Sequence, residues 1–243
     1  MRAAAKAKAV LALGLAFATA VVAVAFAAPE RRAAAFLPVV VPAPPAPALE
    51  GTVFAARDGL AARMKKVRAR LGAAAPALGA RTIRVDKSER RMDLRLGDVL
   101  LRSYVVNLGF DPLNDKQREG DGCTPEGSFY VCTRGPSKAF HRFLGLSYPN
   151  AEDAARGLRD GLIGRSAFDD IRAALTRHER PSWATPLGGA IGIHGRGVRA
   201  AAPGGGVAVV DWTAGCIAVT DEEIQEIYEQ FVTSTGVPVE VVP

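Results

Sequence analysis

Between Arg81 and Leu108 the apolar residues fall into short alternating runs: Ile83 and Val85, then Met92, Leu94 and Leu96, then, after Gly97-Asp98, the stretch from Val99 to Leu108. Successive side chains of an extended strand point to opposite faces, so this period presents one apolar face only when the chain is a strand. Gly-Asp between two such runs marks a hairpin, because glycine accepts the backbone angles that a tight reversal needs. The segment therefore commits the chain to a β-rich fold.

Downstream, residues 109–128 are dense in Gly, Asp, Asn and Pro and form a long loop that ends at a strand near Phe129 to Thr133. Long ordered loops in compact domains tend to carry function. Residues 150–180 read as two helices, with Asn150 and Ser166 as N-cap candidates and a break at Gly161 to Gly164. The segment from 150 to 185 is either a lid or a simple helical insertion. Short strands follow at Ala190 to His194, Val207 to Val210 and Cys216 to Val219. Thr220 and Glu223 have capping-box spacing, which starts a helix that runs to about Thr233, and Val237 to Val242 closes as a strand.

The N-terminal third has a different texture. Arg2, Lys6 and Lys8 precede an apolar run from Ala9 to Ala28 that ends in Ala25-Phe26-Ala27, an A-x-A cleavage pattern, so residues 1–28 read as a secretory signal. The run also approaches the ~20 residues of a membrane span, so an uncleaved anchor, and with it membrane association through the N-terminus, stays open. Either reading places the domain in the periplasm or cell envelope. Residues 29–48, rich in Pro and Ala, read as an extended linker. Residues 49–80 read as an amphipathic basic helix, with Val53, Leu60, Met64, Val67 and Leu71 on one stripe among Arg57, Arg63, Lys65, Lys66, Arg68 and Arg70. Its basic face is a solvated surface or a contact for anionic headgroups or wall carboxylates. The whole chain carries a net charge of +6, and three of its bases lie in the signal. So mild an excess gives no warrant for nucleic acid as a partner.

An exported chain with three cysteines, an odd number, has one that pairs between molecules or stays free. Cys123 and Cys132 lie nine residues apart across a reversing loop, which permits a disulfide; the alternative is a loop cysteine and a small core cysteine. Cys216 is then the leftover thiol. It follows Gly215 in Asp211-Trp-Thr-Ala-Gly-Cys216-Ile-Ala-Val219, 22 residues after the histidine of Ile191-Gly-Ile-His194-Gly195. A thiol attacks as thiolate, and an imidazole both takes its proton and stabilises the anion. Gly195 lets the chain turn after the histidine, and Gly215 lets backbone approach a substrate. The N–H groups of Gly215 and Cys216 are candidate oxyanion donors. A buried cysteine and a satisfied core histidine is the alternative.

These two motifs resemble the catalytic core of the L,D-transpeptidase (YkuD-type) family, whose signature is a His-Gly and a downstream Ser/Thr-x-Gly-Cys. Gly120-Asp-Gly-x-Thr124-Pro125-Glu126-Gly127-x-Phe129-Tyr130 and Leu146-Ser-Tyr148-Pro149-Asn150 resemble the murein L,D-transpeptidase subgroup that ends in Asp-Trp-Thr-x-Gly-Cys. The resemblance covers residues 81–243. It implies an α+β, β-rich catalytic domain, a curved β-sandwich with packed helices, that needs no cofactor and acts on peptidoglycan stem peptides. Cys216 would attack a stem tetrapeptide and release D-alanine, with His194 as base and then acid, oriented by a backbone carbonyl or small polar group at Gly195. An amine from a second stem, or from a protein such as a wall-attached lipoprotein, would resolve the thioester.

The chain departs from the family where many members have a histidine before Gly-Cys and an arginine two residues after the cysteine. Here these are Ala214 and Ala218, which leaves Arg196 as a candidate to hold the substrate carboxylate. Cys123 stands where the subgroup usually has a basic residue. Trp212 and Tyr148 are candidates to line the peptide groove, Thr213 to bond near the thiol, and His141, beside Phe140 and Phe143, to shape the acyl-donor pocket. Asp211 reads as structural and His178 as solvated. The same residues serve a hydrolase, an endopeptidase, carboxypeptidase or lipoprotein-releasing amidase, if water reaches the thioester first. A wall-binding module without activity is at odds with an intact His194 and Cys216. A zinc site from Cys123, Cys132, His194 and Cys216 lacks the close cysteine pair such sites use.

Overall fold

The computed structural model describes residues 38–44, 48–49, 52–54, 58–72 and 80–243. The signal or anchor at 1–28 and most of the linker lie outside the described residues. The alternating segment forms β4 (Arg81–Asp86), β5 (Arg91–Leu96) and β6 (Val99–Val105), paired antiparallel in sequence order. Gly97 takes a φ of 58° at the β5–β6 turn, in the region that favours glycine. Ile83, Val85, Met92, Leu94 and Leu96 are all buried in one main core.

These strands make one end of an eight-stranded mixed sheet. β13 (Pro238–Val242) lies parallel to β4 and antiparallel to β7 (Gly127–Ser137). β8 (His141–Leu146) follows, then β9 (Gly192–His194) and the edge strand β12 (Ile217–Ala218), which runs parallel to β9. α1 (Leu60–Leu71) docks Leu60, Met64 and Val67 on the main core, as do Ile224 of α4 (Asp221–Glu226) and Ile227 and Phe231 of the π-helical turn that continues it. The class is the β-rich α+β arrangement expected. No helix among the described residues is long and apolar enough to cross a membrane.

Three expectations need correction, and one strand lies outside them. The basic helix is confined to Leu60–Leu71, because Gly59 begins it and β2 (Ala48–Leu49) and β3 (Thr52–Val53) pair ahead of it. The proline-rich linker is not wholly a spacer: β1 (Val39–Val41) joins β11 (Val207–Val209) and β10 (Arg199–Ala201) as the outer strand of a small sheet, an edge where neighbouring prolines are tolerated. α2 (Ala151–Arg159) does start at Asn150, in a reciprocal capping box with Asp153, but α3 (Arg165–Thr176) starts from extended Gly164, so Ser166 already lies inside its first turn. β8 was not foreseen, since His-Arg-Phe-Leu-Gly-Leu shows no alternation. It is flanked by strands on both sides, and Gly145 is needed there because a Cβ would come within 2.4 Å of Thr133 Oγ1. α2 and α3 have their own small core around Ala154, Ile163, Ile171 and Leu187.

Candidate functional site

β9 delivers His194 at its last residue. The parallel register sets Ile217 beside Ile193 and Ala218 beside His194. One step further back, Cys216 falls level with Gly192, and residues two apart share a face, so Cys216 and His194 project from the same side of the sheet edge. Their offset along the strand is two residues, about 6.6 Å. The thiol is half-buried, donates to the Ala190 carbonyl at 3.5 Å, and faces the Gly192 N–H.

The imidazole is almost fully enclosed. Phe140 stacks on it with 4.3 Å between ring centroids, Phe143 lies at 6.5 Å, and Trp212 meets it edge-on at 5.9 Å. Its Nδ1 lies 2.6 Å from the Gly195 carbonyl oxygen. A carbonyl only accepts, so Nδ1 carries the proton and Nε2 keeps a lone pair. Burial lowers the His194 pKa below its ordinary 6.5, partly offset by that hydrogen bond, so the ring is neutral at pH 7. Gly195 is required where it stands: a Cβ would come within 2.4 Å of Asp221 Oδ1 and 2.8 Å of the Phe140 carbonyl.

Burial also pushes the Cys216 thiol up to about 11, against smaller opposing contributions from the Gly192 N–H and the Lys116 ammonium. Both shifts favour the neutral forms of thiol and imidazole at rest.

The Cys216 turn is built from several directions. Thr213, buried, donates its hydroxyl to the Cys216 carbonyl at 2.6 Å and accepts from the Gly215 N–H at 3.1 Å. This corrects the expectation of two oxyanion donors, since Thr213 claims the Gly215 N–H and leaves that of Cys216. Gly215 has φ 129°, and a Cβ on it would sit 2.6 Å from the Cys123 carbonyl oxygen. Gly215→Ala is accordingly expected to keep the fold while lowering turnover about 100-fold, the scale on which a displacement near 1 Å acts. Steady-state kinetics beside a thermal melt checks this; wild-type kcat would show that the turn tolerates the clash.

Other candidates fall elsewhere. Trp212, 36% exposed, stays at the mouth of the site. Tyr148 is fully buried, donates its hydroxyl to the Leu187 carbonyl at 2.9 Å and so packs in the core instead of lining a groove. Arg196 has φ 68° and turns to Asp221, which accepts its N–H at 2.8 Å and lies 3.8 Å from its guanidinium, so it is not aimed at the thiol. His141 is exposed and pairs with Gln225 at 2.9 Å. All three cysteines are free, which removes the Cys123–Cys132 bridge. Among the described residues no group of three or more His, Cys, Asp or Glu could hold a metal ion. Asp211 is structural: it holds buried Arg90 at 3.0 Å and the Leu108 N–H at 2.8 Å. Arg90 and Lys116 have no local signal, since the first is held by a partner 121 positions away and the second is marked only by its burial.

Residues 80–241 match the family model of the YkuD L,D-transpeptidase catalytic domain. YafK of Escherichia coli (strain K12), which bears an L,D-transpeptidase name, is 37% identical over 82 residues, 31% of this chain and 33% of that protein. The match thus spans about a third of the curated relative. Among solved structures, the helical cell shape determining protein Pgp2 of Campylobacter jejuni aligns with TM-score 0.43 and 18% identity over 73% of this chain and 54% of that one. An L,D-transpeptidase of Xylanimonas cellulosilytica aligns with TM-score 0.38 and 12% identity, over 68% and 61%.

Proposed function

Because the chain belongs to the YkuD L,D-transpeptidase catalytic-domain family, we propose that it is a peptidoglycan L,D-transpeptidase of the cell envelope, with Cys216 as nucleophile and His194 as its base. The observation that carries this is the β9–β12 register, with the Nδ1 bond to the Gly195 carbonyl that leaves the Nε2 lone pair for the thiol.

In the proposed sequence, a stem tetrapeptide places the carbonyl before its terminal D-alanine against Cys216. The Sγ proton moves to His194 Nε2 as sulfur bonds to the carbonyl carbon, and the oxyanion is met by the Cys216 N–H. The C–N bond then breaks, imidazolium returns the proton to the leaving nitrogen, and D-alanine departs from a thioester. An amine, from a second stem or a wall-attached lipoprotein, attacks the thioester while His194 takes its proton, and the thiol is restored. A neutral resting pair suits this order, since charge appears only once substrate has covered the site.

Water in place of the amine gives the hydrolytic alternative. Incubation with purified tetrapeptide muropeptides, followed by mass analysis, distinguishes them. Cross-linked dimers lacking one D-alanine are the expected products; tripeptides or separated monomers alone would replace transfer with hydrolysis, and unchanged substrate would overturn both.

A further inference from the structure

Lys116 is a charged residue the proposed mechanism does not use, and its side chain is only 3% exposed. Its ammonium donates to Asp121 Oδ1 at 2.8 Å and to the Arg118 carbonyl at 3.1 Å. Asp121 also accepts from the backbone N–H groups of Gln117 and Arg118, both at 2.8 Å, and of Cys123 at 3.1 Å. One carboxylate thus ties the loop into a closed ring. Burial works against its ionisation, but the Lys116 ammonium and these three N–H groups outweigh it and hold its pKa below the usual range.

The ring ends at the nucleophile. Cys123 follows Gly122, whose carbonyl accepts from the Asp111 N–H at 3.1 Å, and its own carbonyl oxygen lies 2.6 Å from where a Gly215 Cβ would be. The Thr124 hydroxyl accepts from Gly109 at 2.9 Å, and the adjacent Phe110 N–H donates to the Thr213 carbonyl at 3.0 Å. The loop therefore touches the Thr213–Cys216 turn from both of its ends. From behind, the Lys116 backbone carbonyl is held by Arg156 of α2 at 2.8 Å.

We propose that Lys116 is a positioning residue for Cys216: through Asp121 and Cys123 it fixes the nucleophile turn. This rests on Cys216 being the nucleophile. The charged and titratable groups built around this turn are Lys116, its partner Asp121 and the neutral His194, and of these the Lys116 ammonium opposes the rise that burial imposes on the thiol.

The test uses iodoacetamide, which alkylates the thiolate with loss of iodide and needs no peptide substrate, so it reads this proposal even if the peptidoglycan assignment fails. The rate at Cys216 is followed by peptide mass against pH in the full chain, with Cys123 and Cys132 scored separately. Lys116→Met is expected to move the Cys216 profile up by about half a pH unit or more, a threefold or greater loss of rate at pH 8, and Lys116→Arg to restore most of it. Should Lys116→Met fail to fold because it strands Asp121, the double variant Lys116→Met/Asp121→Asn removes both charges, which buried pairs tolerate better; it is expected to lower the Cys216 rate at every pH through the loosened turn, with a smaller shift of the profile because the paired charges cancel. A folded Lys116→Met with the wild-type Cys216 profile, or a folded double variant with the wild-type rates, overturns the proposal.

Discussion

Cys216→Ala is expected to abolish turnover while leaving the domain folded. Removing a nucleophile from a site that works as a unit costs on the order of 10⁵–10⁶ in kcat, which brings the rate to background. The structural cost is small, because the thiol is half-buried and its hydrogen bond to the Ala190 carbonyl is a long one, so stability should stay within about 1 kcal/mol. The Thr213 hydroxyl bonds to the backbone of residue 216, not to its side chain, and so keeps the turn in place. Mass analysis of intact protein after exposure to tetrapeptide should show an acyl adduct on the wild type and none on the variant, with matching thermal melts. An adduct, or product at the wild-type rate, from Cys216→Ala would remove the nucleophile assignment.

What could be read from the sequence follows from the range of the forces involved. The β4–β6 meander was legible because alternation and a turn glycine are local properties, as were the caps at Asn150 and Thr220, where each side chain bonds to backbone two or three residues on. β8 was not, since a strand with partners on both sides is specified by those partners. The same division runs through the site. Cys216 and His194 stood out with their flanking glycines, and Gly195 and Gly215 prove sterically required. The surroundings of the pair were hidden. Phe140 reaches His194 across 54 positions, Asp211 reaches Arg90 across 121, and Tyr148, placed by its motif near the groove, has its hydroxyl satisfied at Leu187. Ala214 and Ala218 stand where the resemblance to the family leads one to expect a histidine and an arginine. Among the described contacts Arg196 does not substitute for that arginine, because its left-handed backbone and Asp221 direct it away.

His194→Gln is expected to cost 10²–10⁴ in kcat/KM, the span of a general base, with the fold retained. Glutamine fills much of the space among Phe140, Phe143 and Trp212, but its amide cannot take the thiol proton. The pH profile carries the finer expectation. Wild-type activity should fall on the acid side with a midpoint below 6.5, because the enclosed imidazole resists protonation and a protonated ring has no lone pair for Cys216. Stability follows the same sign. The depressed folded pKa means that the unfolded chain binds the proton first, so this contribution is intact above the unfolded value near 6.5 and is lost as pH falls through the folded one. The wild type should therefore lose melting temperature relative to His194→Gln in that window, with the two running parallel at higher pH. A variant that retained wild-type kcat/KM would take the base role away from His194. Parallel melting curves through the acid window would mean instead that the ring is less enclosed than its three aromatic neighbours imply.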